Sequence, residues 1–198
     1  MTTSGNLDLT MMYAAHDAFR RDLGRMAASG SAAELRPRWR TFTTYLTAHH
    51  SAEDDALWPA VRARSAEAGP LLDAMEAEHA VLDPLMSAVD TALAEDRHGA
   101  ALAVLAELAE ALTGHLDHEE REALPLVDAV LPPEEWAAFG AEQRRRLGSP
   151  ASLARFVPWL LDGAEEERRR AVLRVLPPPV RLLHRAVWNP RYRRQEAR

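Results

Sequence analysis

The sequence predicts an all-α protein, built as an up-down-up-down four-helix bundle with a helical C-terminal extension. Strand signals are nearly missing, because the chain contains no Ile and its Val and Thr residues do not alternate with polar residues for long. Apolar residues instead recur three and four positions apart along four long stretches, which is the period of an α-helix. Short links between long helices are typical of antiparallel neighbours, so the four stretches are expected to form a bundle.

Local stop signals set the expected bounds of the four bundle helices. The first helix is expected to end at Gly30 and its flanking serines, and the second near Gly69. Proline is favoured in the first turn of a helix, so Pro70 is expected to open the third helix, within which Pro84 is a point of bending. The expected ranges are residues 8–28, 37–66, 70–95 and 99–130.

Residues 134–198 are expected to form a helical extension, distinct from the bundle domain of residues 1–133. Arg outnumbers the acidic residues in the extension, whereas acidic residues predominate in the bundle. The extension carries too many large apolar side chains for a free tail, so we expect it to pack on the bundle or to close a homodimer. Its expected helices span residues 134–147, 152–161, 164–176 and 180–188, before a basic tail at 191–198.

Composition excludes several classes of function. The chain has no Cys, which rules out disulfides, thiolate metal sites and Cys nucleophiles. The net charge of −6 and the acidic bundle argue against nucleic acid as a partner. The longest uninterrupted apolar run, residues 100–106, is too short to span a bilayer, and residues 1–9 do not resemble a signal peptide. A cytoplasmic protein with no membrane partner is therefore expected.

Each predicted bundle helix carries a histidine on its apolar face, and two of the helices add a glutamate one turn later. Residues three or four apart lie on one helix face, so all of these polar side chains are expected to point inward. Burying charged groups is costly unless an opposite charge is close, and no Arg lies at this level of the four faces. A metal ion is the simplest counter-charge. The inward residues are His16, His49, Glu53, His79, His115 and Glu119.

The spacing of these residues favours a pair of ions. A histidine and a glutamate four residues later lie about 6 Å apart on one helix face. The imidazole is then placed to bind one ion while the carboxylate reaches a second. Mixed imidazole and carboxylate sites with open positions suit iron best among common metals, with manganese and zinc as weaker alternatives.

The two His/Glu pairs occur in one wider motif, His-x3-Glu-x5-Pro, at residues 49–59 and again at residues 115–125. Together with the single histidines His16 and His79, this order resembles the hemerythrin-like (HHE cation-binding) domain family over residues 8–130. The resemblance implies a four-helix bundle with a non-haem diiron centre, held by the six inward residues. It also implies that the two glutamates bridge the two iron ions.

One position departs from the pattern of the oxygen-carrying members of that family. Those proteins have a further histidine one turn before the third-helix histidine, where this chain has Met75. Methionine is a poor ligand for iron in such a site, which leaves a coordination position spare. The departure favours reaction with peroxide or nitric oxide over reversible oxygen carriage. Tyr45, four residues before His49, is a further candidate, as a phenolate ligand or a redox partner.

Several polar residues near the motif allow two interpretations. His118 is either a partner that orients a ligand or a surface residue, and for His50 a solvated or interface position is the stronger expectation. Glu78 is expected to point away from the site. The acidic runs beside the two glutamates are most simply a solvated face, and they contain Asp54, Asp55, Glu120 and Glu122.

Two functions fit this site, and a third interpretation gives the site no role. The first function is that of an oxidoreductase acting on peroxide or nitric oxide at two iron ions. The second is that of a non-enzymatic module that senses oxygen or nitric oxide, or buffers iron. In the third interpretation the chain is a helical interaction protein and the His/Glu set is incidental. Iron uptake separates the third from the other two, and turnover of hydrogen peroxide separates the first from the second.

Overall fold

The computed structural model describes residues 7–196, and every regular element in that range is helical. The prediction of an all-α protein is confirmed for this part of the chain, which contains no β-strand. Up to residue 130 the helices follow the predicted order. They are α1 (Thr10–Ala27), α2 (Ala32–Ala52), α3 (Trp58–Arg64), α4 (Gly69–Ala94), α5 (His98–His118) and α6 (Leu124–Val130).

The predicted start of the second helix at residue 37 is wrong, because a capping box precedes it. Ser31 is the N-cap residue of α2, and its Oγ accepts a hydrogen bond of 3.3 Å from the backbone N–H of Glu34. The Glu34 carboxylate in turn accepts a hydrogen bond of 2.8 Å from the backbone N–H of Gly30. These bonds satisfy donors that a helix start leaves open, so the helix begins at Ala32 and Pro37 lies inside it.

Two π-helical turns interrupt the α-helices at the two glutamates of the motif. Glu53–Leu57 joins α2 to α3, and Glu119–Ala123 joins α5 to α6. In each turn the glutamate carbonyl accepts a hydrogen bond from the backbone N–H five residues later, at Trp58 and at Leu124. A proline follows directly, and a proline inside an α-helix lacks the N–H and clashes with the carbonyl four residues earlier. The wider turn relieves this conflict, so neither helical run ends at its proline.

Two apolar clusters divide the interior along the length of the helices. Phe19, Leu46 and Leu112 belong to one cluster, and Met12 and Trp58 belong to the other. Each long helical run passes from one cluster to the other, and its motif residues lie between the two. The runs contact one another through α1 with α2 and α5, α4 with α5, and α2 with α4. The motif residues therefore form a polar layer inside an otherwise apolar core.

The extension is helical as predicted, and the segment expected as a basic tail is helical as well up to Glu196. Residues 197–198 lie outside the described residues. The division of the chain into two domains at residue 133 stays a prediction. The helices are α7 (Pro133–Arg146), α8 (Pro150–Leu161), α9 (Glu166–Val175), α10 (Pro178–Leu183) and α11 (Asn189–Glu196), with a π-turn at His184–Trp188.

The extension packs on the bundle helices of the same chain. α7 contacts α2, whereas α8 and α9 contact α1. Trp159 of α8 is buried at this contact, where its Nε1 donates a hydrogen bond of 2.6 Å to Asp22 and its ring packs on Phe19. Of the two expectations for the extension, the structure thus shows packing on the bundle, and the homodimer stays a prediction.

One helical run, His98–Val130, is long and apolar enough to cross a membrane by length and composition alone. The longest uninterrupted apolar stretch, residues 100–106, is only part of this run, because Glu107 and Glu110 also lie within it. A core helix of a helical protein has the same composition. α5, which forms most of the run, packs against α4 and α1.

Candidate metal centre

The six residues of the predicted ligand set lie together in the polar layer, and all of them are buried. His16, Glu53 and Glu119 have 0% exposed surface, and the other three are at most 6% exposed. The helices that supply them are those expected from the sequence. The structure therefore brings the predicted residues to one level of the core, and their role as ligands stays a prediction.

The ligand atoms in this layer form two neighbouring groups. In each group the atoms all lie within 4.8 Å of one another. The first group consists of two imidazoles and both motif carboxylates, from His16, His49, Glu53 and Glu119. The second group consists of three imidazoles, from His50, His79 and His115.

Glu53 connects the two groups. Its Oε1 lies 3.0 Å from Nε2 of His49 in the first group. Its Oε2 lies 3.7 Å from Nε2 of His79 in the second group. Glu53 thus presents one carboxylate oxygen to each group.

The carboxylate oxygens of Glu53 and Glu119 are buried without a hydrogen-bond partner among residues 7–196. Glu119 Oε2 lies 3.2 Å from Nε2 of His16, and Glu53 Oε1 lies 3.0 Å from Nε2 of His49, but neither contact has hydrogen-bond geometry. Buried polar atoms are costly when unpaired, so a cation stabilises a set of converging acceptors. The residues present therefore fit a metal centre.

Three of the candidate ligand histidines are oriented by carboxylates through Nδ1. His16 contacts Glu120, and His79 contacts Asp54, both at 2.8 Å. A carboxylate only accepts hydrogen bonds, so Nδ1 carries a proton in all three imidazoles. Nε2 then faces the layer, which is the orientation that a metal ligand requires.

Glu78 is the third of these partners, and it was expected to point away from the site. Its Oε2 accepts from Nδ1 of His115 at 2.8 Å, and its Oε1 accepts from Nδ1 of His118 at 2.7 Å. The expectation of a solvated face is likewise wrong for Asp54 and Glu120. It holds for Asp55, whose carboxylate pairs with Arg146 at the surface, and for the half-exposed Glu122.

His49 has a different partner, which comes from the extension. The side-chain amide of Gln143 in α7 lies 3.3 Å from Nδ1 of His49. An amide both donates and accepts, so Gln143 does not fix the position of the His49 proton as a carboxylate does. The extension thus reaches the polar layer through Gln143. The sequence does not indicate this contact.

The pKa values in the layer reflect how charges are balanced there. Burial opposes a charge on His16, but the carboxylates of Glu119 and Glu120 raise its pKa to about 9. Burial and the repulsion of Glu119 raise the pKa of Glu53, and burial with repulsion by His16 lowers the pKa of His49 to about 3. Without a metal, protons on His16 and Glu53 therefore reduce the net negative charge of the layer. A bound cation replaces such protons.

His50 lies inside the protein, although a solvated or interface position was the stronger expectation. It is 7% exposed, and its ring stacks on that of His79 with centroids 4.0 Å apart. Its Nε2 is buried without a hydrogen-bond partner in the described chain, and burial lowers its pKa well below the usual value. A neutral imidazole thus lies beside His79, while Met75, one turn before His79, packs in an apolar cluster.

The two remaining candidates lie outside both ligand groups. His118 is 22% exposed and contacts the layer only through Glu78. Tyr45 packs on Phe156 and Trp159 of the extension, with ring centroids 5.1 and 4.5 Å apart. Burial raises the pKa of Tyr45 to about 12, which opposes the phenolate form. The structure therefore places Tyr45 at the contact with the extension and not among the candidate ligands.

Comparison with known proteins gives one match. Residues 7–127 match the family model described as the hemerythrin HHE cation binding domain. No curated protein and no solved structure matches the chain. The matched region contains both ligand groups and stops before the extension.

Proposed function

Because the chain belongs to the hemerythrin HHE cation binding domain family, we propose that its polar layer holds two iron ions and reacts with peroxide or nitric oxide, or binds oxygen. The observation that carries the proposal is the set of four carboxylate oxygens of Glu53 and Glu119, which are buried without a hydrogen-bond partner in the described chain. Imidazole and carboxylate ligands together suit iron best among common metals.

The proposed ligand set has one ion in each group. His16 and His49 would hold the first ion, and His50, His79 and His115 would hold the second. Glu53 would contact both ions, because it presents one oxygen to each group. Glu119, whose oxygen lies in the first group, would be the second carboxylate of the centre.

Bound iron supplies a Lewis acid and a one-electron donor or acceptor to a small oxygen or nitrogen compound. The side chains hold that centre in place, because Asp54, Glu78 and Glu120 keep three Nδ1 protons in position and so direct Nε2 inward. The apolar clusters on both sides of the layer exclude water. A small uncharged compound such as nitric oxide, oxygen or hydrogen peroxide enters such a site more readily than an ion.

We also propose that the four long runs alternate in direction, as an up-down-up-down bundle requires. Along α1 the chain passes from the cluster of Met12 to the cluster of Phe19. The run of α2 and α3 passes back, α4 repeats the direction of α1, and the run of α5 and α6 passes back again. This alternation supports antiparallel neighbours.

Metal analysis after expression in iron-rich medium tests the proposal. We expect about two iron ions per chain and visible absorption that changes when hydrogen peroxide or nitric oxide is added. Repeated consumption of hydrogen peroxide, with ascorbate as reductant, assigns an enzyme. A spectral change without turnover assigns a sensor. A protein that takes up no iron overturns the proposal and leaves a helical interaction protein.

A further inference from the structure

A cavity of about 620 Å³ lies between the bundle and the extension. Helices α1 and α2 form one wall, and α7, α8 and the segment from Val175 to Val180 form the other. Most of its lining is apolar and includes Phe139, Phe156 and Leu176. A concave apolar site of this size is typical of a binding site for a small organic molecule. Water molecules in it would find few hydrogen-bond partners.

Tyr45 gives the cavity a hydrogen-bond donor. Its side chain lines the cavity, is only 6% exposed, and makes no hydrogen bond within residues 7–196. The ring is held by Phe156 and Trp159. A hydroxyl on a mostly apolar wall finds few hydrogen-bond partners there, so an oxygen atom that accepts its hydrogen bond is a favourable occupant.

The same cavity reaches the metal layer. His49, a candidate iron ligand, and Gln143, which contacts its Nδ1, both line the wall. Arg144 lies on the lining as well, is exposed, and forms no ion pair among the residues that the structure describes. The cavity thus extends from an unpaired cation at the surface to the outer side of a ligand histidine.

We propose that this cavity binds a small apolar molecule that carries a carbonyl or carboxylate oxygen. The apolar part packs on Phe139, Phe156 and Leu176, and the oxygen accepts the hydrogen bond of Tyr45. The contacts that hold the occupant do not include a metal ion, so binding is expected whether or not iron is present. This site goes beyond the proposed reaction with small oxygen and nitrogen compounds, because it admits an organic molecule to the side of the layer that faces the extension.

Octanoic acid and methyl octanoate are suitable probes, since they share a carbonyl oxygen and an apolar chain but differ in charge. Each is titrated into the chelator-treated full-length protein by calorimetry, with intrinsic tryptophan fluorescence as a second readout, because Trp136 lines the cavity. We expect saturable binding of one molecule per chain. Stronger binding of the acid assigns the carboxylate to Arg144, and equal binding assigns a neutral carbonyl compound. Failure of both probes to bind overturns the proposal.

Two variants test the position of the site. Ala48→Phe fills the cavity and is expected to abolish binding, whereas Thr47→Phe, on the exposed side of the same helix, is expected to leave it unchanged. Tyr45→Phe keeps the ring but removes the donor, and we expect affinity to fall roughly fivefold to tenfold. Circular dichroism verifies folding, and Tyr45→Phe decides the question if Ala48→Phe does not fold. Unchanged affinity in a folded Ala48→Phe protein, or in Tyr45→Phe, places the probe elsewhere and overturns the proposal.

The iron-loaded protein adds an independent measurement. Because His49 forms part of the wall, a bound probe is expected to shift the visible absorption of the iron centre. A spectrum that does not change while calorimetry shows binding overturns the contact with His49. A protein that binds the probes but takes up no iron supports the cavity and contradicts the metal proposal, so the two failures are distinguishable.

Discussion

Asp54 accepts a hydrogen bond of 2.8 Å from Nδ1 of His79, although the two residues belong to different helical runs. Glu120 makes the equivalent contact with Nδ1 of His16, also at 2.8 Å. Each of these acids directly follows a motif glutamate, within the π-turn that begins there. The turn therefore directs one carboxylate into the metal layer and the next one to a histidine of a neighbouring helix.

Removing the carboxylate of Asp54 is expected to weaken iron binding. In Asp54→Ala the imidazole of His79 loses the partner that fixes its proton and its orientation. Loss of such a partner typically lowers metal affinity by about 10- to 100-fold. Competition with a coloured iron chelator measures the change.

Asp55→Ala is the matched control, because Asp55 lies in the same π-turn but pairs with Arg146 at the surface. We expect its iron affinity to equal that of the unaltered protein. If Asp54→Ala binds iron as tightly as the unaltered protein, the contact between Asp54 and His79 does not support the metal centre.

Replacing His50 tests the composition of the second ligand group. We expect His50→Leu to retain about one iron ion per chain instead of two, because the second group then keeps two imidazoles and, unlike the first group, contains no carboxylate. Elemental analysis after desalting measures the stoichiometry, and the visible spectrum reports the remaining ion. His118→Gln, which changes an imidazole outside both groups, is expected to keep both ions. Full iron content and an unchanged spectrum in His50→Leu identify His50 as a packing residue.

The contrast between His49 and His50 shows what helical periodicity can and cannot predict. His49 and Glu53 lie four residues apart on one face, as expected, and Nε2 of His49 is 3.0 Å from Oε1 of Glu53. His50 lies about 100° around the helix from His49, so the pattern assigns it to another face. A bundle helix, however, contacts more than one neighbour, and α2 packs on both α1 and α4. Two of its faces are therefore buried, and His50 lies on the second.

Long-range partners are the part of the site that the sequence conceals. Asp54 and His79 are 25 residues apart, and Gln143 and His49 are 94 residues apart. Acidic runs are usually solvated, and a single Gln in a charged helix has no periodic signal. One local signal was present, since an acid follows both motif glutamates at equivalent positions. Glu120 and Asp54 were identifiable from that repetition, whereas Gln143 was not.

Glu53 is expected to reduce the stability of the protein when no metal is bound. Burial and the charge of Glu119 raise its pKa, and neither of its oxygens has a hydrogen-bond partner within residues 7–196. We expect Glu53→Leu to raise the free energy of unfolding of the chelator-treated protein by about 1–3 kcal/mol. Urea denaturation measures this difference.

Bound iron is expected to make the unaltered protein more stable than Glu53→Leu. It is expected to raise the melting temperature of the unaltered protein, because a ligand that binds only the folded state stabilises it, but not that of Glu53→Leu. Glu110→Leu removes an exposed carboxylate of α5 and is expected to respond to iron normally. A chelator-treated Glu53→Leu protein that is less stable than the unaltered one indicates that the carboxyl group supports the fold.

Gln143 links the extension to the chemistry of the layer. Its amide lies 3.3 Å from Nδ1 of His49, where the other ligand histidines His16, His79 and His115 have carboxylates at 2.8 Å. Gln143→Glu supplies a fourth carboxylate, which makes His49 a more basic ligand and stabilises the oxidised iron. Gln143→Leu removes the contact and has the opposite effect. Spectroelectrochemistry is expected to give the lowest reduction potential for Gln143→Glu, an intermediate one for the unaltered protein and the highest for Gln143→Leu. Identical potentials in the three proteins mean that α7 covers the centre without tuning it.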